Sequence, residues 1–95
     1  EEYKAPKTER PWGYYRVLHE VGPGIKLKEL TVNPGESLSM QRHFHRNEFW
    51  FVAQGVATLH SCLETKHFVE HEYIFIKKEE WHQLCNKHEV PLKVL

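Results

Sequence analysis

The chain has 95 residues, 40% hydrophobic and 27% charged, the composition of one folded domain with a modest core. Thirteen basic residues balance thirteen acidic ones, which excludes the electrostatic footprint of a nucleic-acid binder. The longest unbroken apolar run, Phe49 to Ala53, is far too short to cross a bilayer as a helix.

The opening Glu1-Glu2-Tyr3-Lys4 holds no apolar signal region, so a cytoplasmic setting is expected. Along the chain, short β-rich segments alternate with turn formers. Gly13 to Leu18 and Ile25 to Val32 read as strands around Val21-Gly22-Pro23-Gly24. Asn33-Pro34-Gly35 is a strong turn. Ser37 to His45 and Phe49 to Ala53 follow, the latter ended by Gln54-Gly55. Val56 to Leu63 and Lys66 to Val69 form a hairpin around Glu64-Thr65, and Tyr73 to Ile76, Trp81 to Cys85 and Leu92 to Leu95 complete the set. No room remains for the helices that parallel βαβ units need. Residues 1–95 therefore read as one all-β domain, a barrel or double-stranded jelly roll. Cys62 and Cys85 are too few for a disulfide framework and read as thiols in a reducing compartment.

Eight histidines are unusual in a chain this short, and their spacing is where chemistry is sought. Alternation in a strand points His43 and His45 to one face, and Glu48 can return a carboxylate to them after a tight reversal. Two imidazoles and a carboxylate are ligands for a first-row transition ion. Leu38, Met40, Trp50 and Val52 flank them with apolar side chains that want a core. His82 is a second candidate, since its strand sends His82 and Leu84 one way and Gln83 and Cys85 the other.

His43-x-His45-x-x-Glu48, then Gly55, then His82-x-x-x-Asn86 resembles the two-part motif of the cupin superfamily. Arg10-Pro-Trp-Gly13, Pro34-Gly35, Leu38-Ser-Met-Gln41 and His45-Arg-Asn-Glu-Phe-Trp50 are similar to the type II mannose-6-phosphate isomerase group. In that group the cupin is often the C-terminal part of a bifunctional mannose-1-phosphate guanylyltransferase. The resemblance implies a double-stranded β-helix and a divalent ion (Zn, Fe, Mn or Ni) on His43, His45, Glu48 and His82. It further implies interconversion of mannose 6-phosphate and fructose 6-phosphate, a small-molecule reaction without nucleic acid or membrane. Arg46 would serve the substrate's anionic end, with Arg10, Arg42 and Trp81 as further substrate contacts. For the catalytic base, Glu36, His60 and Lys28 could each face the lumen. The turn before His82 carries Lys77 and Glu79 where the motif usually has a proline and a glycine.

A non-catalytic cupin that binds a sugar phosphate or nucleotide sugar is the alternative, and a cupin dioxygenase holding Fe(II) on the same ligands is a further one. Antiparallel sheet edges need cover, so a homodimer through the N-terminal strand region is expected, as the cupin resemblance also suggests.

Overall fold

The computed structural model describes residues 5–23, 25–43 and 47–95, and is built of strands. They are β1 (Thr8–Arg10), β2 (Gly13–Glu20), β3 (Lys26–Val32), β4 (Glu48–Gln54), β5 (Ala57–Ser61), β6 (Thr65–Phe68), β7 (Tyr73–Ile76), β8 (His82–Cys85) and β9 (Leu92–Val94). One sheet runs β1-β2-β3-β9-β4-β7 and the other β6-β5-β8, every pairing antiparallel. The two inner faces supply one core. Val32, Val52, Ile74, Ile76, Leu92 and Val94 of the larger sheet meet Ala57 and Leu84 of the smaller. Alternation decides this: in β4 and β7, Val52, Ile74 and Ile76 are buried while Phe49, Tyr73 and Phe75 stand exposed.

Two expectations need correction. β1 was not foreseen, because three polar residues carry no hydrophobic alternation. It exists by pairing Arg10 with Gly13 and Glu9 with Tyr14 across the Pro11-Trp12 turn. Gly13 permits the next strand to close in, since a Cβ there would lie 2.0 Å from the Thr31 carbonyl oxygen.

The expected strand from Ser37 to His45 is not a continuous ladder. Leu38 N–H donates to Leu84 C=O at 2.9 Å, and isolated bridges pair Ser37 with Cys85 and Gln41 with His82. Four steps on one side oppose three on the other, so one residue too many sits around Ser39-Met40, as in a β-bulge. The extra residue reverses parity. Leu38 packs on the core, Met40 is thrown out to 42% exposure rather than flanking the site, and Gln41 and His43 return inward.

Candidate metal centre

His43, Glu48 and His82 converge, each offering a ligand atom, with these atoms all within 4.8 Å of one another. Three elements deliver them: the bulged segment brings His43, the first residue of β4 is Glu48, and the first of β8 is His82. His43 Nε2 lies 3.2 Å from Glu48 Oε2, and the rings of His43 and His82 are 5.3 Å apart between centroids. His82 is buried and the other two are half-buried, so the cluster is sheltered without being sealed.

Neighbouring groups orient the donors. The Trp50 indole N–H donates to Glu48 Oε1 at 3.1 Å, leaving Oε2 turned to the imidazoles. His82 Nδ1 lies 3.1 Å from the Glu80 carbonyl, which only accepts, so Nδ1 carries the proton and Nε2 keeps its lone pair. Such outer contacts hold ligating side chains in register. Two imidazole nitrogens and a carboxylate oxygen, preset this way, fit a first-row divalent ion.

The unusual turn before His82 is pinned to the His43 loop. Glu79 N–H donates to His43 C=O at 2.5 Å, and Lys78 N–H donates to Asn47 Oδ1 at 2.8 Å. Glu79 itself takes φ of 71°, a left-handed conformation that suits the glycine usual there. Asn86, the last residue of the second motif, is structural. Its buried amide donates to Val32 C=O at 3.0 Å and Val90 C=O at 2.9 Å, anchoring the end of β8.

His45 and Arg46 lie outside the described residues. Glu48 and His82 open onto a cavity of about 1130 Å³ that Arg10 also lines. Arg42 and Trp81 do not line it. The Arg42 guanidinium stacks over the Trp81 ring at 4.8 Å, and Trp81 borders a separate cavity of about 350 Å³ with Leu59 and Phe68, which His82 also touches. Of the three candidates for a lumen-facing base, Lys28 lines the larger cavity. Glu36 is exposed, and His60 Nδ1 is engaged across the hairpin with Thr65 Oγ1 at 2.7 Å. Tyr15, which no motif marked, also lines the larger cavity, as does Asn47 of the His45 to Trp50 motif.

A two-sheet barrel with a His/Glu/His cluster at its mouth is the architecture of a cupin, and solved cupins share the fold. A sugar phosphate isomerase from a cupin superfamily of Silicibacter pomeroyi superimposes with a TM-score of 0.74 at 19% identity, over 85% of this chain and 55% of that one. The chain belongs to the family described as mannose-6-phosphate isomerase C-terminal, whose model matches residues 1–95. It is 40% identical over 86 residues to the mannose-1-phosphate guanylyltransferase ManC of Salmonella typhimurium, covering 90% of this chain and 18% of that protein. It is 35% identical over 86 residues to the alginate biosynthesis protein AlgA of Pseudomonas aeruginosa, with the same shares. The chain thus spans under a fifth of the length of the curated relatives it matches. Among the described residues no helix is long and apolar enough to cross a membrane.

Proposed function

We propose that this domain is a metal-dependent aldose–ketose isomerase of the cytoplasm, interconverting mannose 6-phosphate and fructose 6-phosphate. The observation that carries the reading is the convergence of His43, Glu48 and His82 where Glu48 and His82 open onto the large cavity. His43, Glu48 and His82, with His45 by sequence, would hold a divalent ion. When bound, that ion supplies Lewis-acid stabilisation of negative charge on sugar oxygens. Trp50 fixes the carboxylate, and the Glu80 carbonyl fixes the His82 ring, so neither must reorganise as charge develops. The family match, and a barrel shared with a sugar phosphate isomerase, support a phosphorylated sugar as substrate.

A coupled assay of metal-loaded protein with mannose 6-phosphate tests the reading. Turnover that stops on chelation and returns with metal is expected. Protein that binds the sugar phosphate but never converts it would leave the non-catalytic sugar-phosphate cupin, the reading that the Lys77 and Glu79 departures favour. The homodimer is likewise a proposal, supported by exposed Val17, Leu18, Val21, Ile25 and Leu27 on and around the β2–β3 hairpin. Light scattering that gives a monomer at micromolar concentration would overturn it.

A further inference from the structure

On β3 the inward face runs Val32, Leu30, Lys28, from the fully buried core to the half-buried wall of the large cavity. Lys28 Nζ sits 4.9 Å from the centre of the Tyr15 ring, and the Arg10 guanidinium carbon sits 5.3 Å from the same ring. Arg10 Nη2 also donates to the Tyr15 hydroxyl at 3.5 Å. Arg10, Tyr15 and Lys28 all line the cavity that Glu48 and His82 line.

The charges on this wall are not balanced. On it Lys26 is within 3.9 Å of Glu20, while Arg16, within 3.7 Å of Glu29, belongs to the opposite face. Among the described residues, Arg10 and Lys28 have no carboxylate within ion-pair distance. An aromatic ring attracts cations through its quadrupole but does not cancel their charge. Two cations against one tyrosine, both lining the cavity, are therefore a prepared seat for an anion.

We propose that Lys28, with Arg10 held beside it on Tyr15, binds the phosphoryl group of the substrate. The inference rests on the sugar-phosphate reading above and assigns its anionic end to residues of the described wall. Register gives the span. Leu30 is level with Val94 and Val94 with Val52, so Lys28 is level with Trp50, two strand spacings or about 10 Å away. Glu48 is one inward position beyond Trp50 on the same strand. Ligands and cations thus stand apart along one wall, as the reacting carbons and the phosphate stand apart in a hexose 6-phosphate.

Calorimetric titration of metal-loaded protein with mannose 6-phosphate, mannose and inorganic phosphate tests this. The wild type should bind mannose 6-phosphate, and inorganic phosphate should compete. Lys28→Met should weaken mannose 6-phosphate by about 10- to 100-fold, the loss of one charge-assisted contact. Mannose affinity and metal content should not change. Lys28→Arg should restore most of the loss, and Lys26→Met, whose charge Glu20 already balances, should do little. If Lys28→Met fails to fold, Lys28→Gln carries the same expectation. Undiminished mannose 6-phosphate binding by the Lys28 variants overturns the proposal even if the wild type is an active isomerase. A wild type that binds neither anion overturns it too. Lys28-dependent phosphate binding without any turnover supports the anion seat and refutes only the isomerase.

Discussion

Gln41 and His82 exchange both of their backbone hydrogen bonds, at 2.8 Å and 2.9 Å. Through this bridge the two motifs, distant in sequence, share one rigid link. His43 lies two residues past Gln41, and the His82 imidazole projects from the bridge itself. The centre is thereby held by main chain as well as by side chains. Its donors are expected to be in place before any ion arrives.

Trp50→Phe keeps an aromatic ring but deletes the N–H donated to Glu48 Oε1. Metal affinity should fall about 10- to 100-fold, as for other outer-sphere contacts, while His82→Ala should lose the ion. Chelator competition measures both, and an unchanged dissociation constant for Trp50→Phe would show that the indole does not orient Glu48.

Gly13→Ala should be among the costliest single changes in the chain. Its Cβ would sit 2.0 Å from the Thr31 carbonyl oxygen, backbone that cannot swing aside. A loss above about 3 kcal/mol is expected. Gly22→Ala is the control: φ is +64° but nothing lies within 4 Å of its Cβ, so about 1 kcal/mol should be lost. Equal melting points for the two variants would refute the steric account.

Glu79→Gly should stabilise the protein. A non-glycine residue at φ of 71° costs about 1–2 kcal/mol, part of which glycine's greater freedom in the unfolded chain takes back. A net gain of up to about 1 kcal/mol is expected, and Glu79→Val should move the other way. Denaturant melts decide it. A less stable Glu79→Gly would mean that the turn carries no strain at that residue.

Tyr14 should titrate early. Its hydrogen bond with Thr31, aided by Lys93 and Lys7, holds the phenol below its ordinary value of 10.0, against a smaller opposing effect of burial. Between the folded and unfolded values the unfolded state binds more protons, so stability from this group grows as pH rises through that window. At neutral pH both states are protonated and it contributes nothing. Tyr14→Phe should erase the early step from the ultraviolet titration, and its persistence would assign it to another tyrosine.

The strands with clear alternation were legible in sequence, β4 and β7 above all, because hydrophobic period and burial coincide there. His43, Glu48 and His82 were legible from their spacing and the cupin pattern. β1 was not, since a three-residue strand is made by its partner rather than by its own residues. The place of Arg42 and Trp81 was also hidden. Nearness in sequence to His43 and His82 suggested the cavity, whereas alternation sends each residue beside a ligand to the opposite face, where the two stack on one another. Lys28 was visible only as one of three inward candidates, and the pairing of acids with its neighbours, not its own position, singles it out.

The surplus residue around Ser39-Met40 gives this segment slack. Side-chain facing along an extended chain is all or none, so no replacement at Ser39 or Met40 can alter which neighbours look inward. Removal of one of the two would restore plain alternation from Leu38, opposite Leu84, to Gln41, opposite His82. His43 would still look inward and Arg42 outward. The centre is thus tolerant both of spelling changes at these two positions and of the loss of one of them.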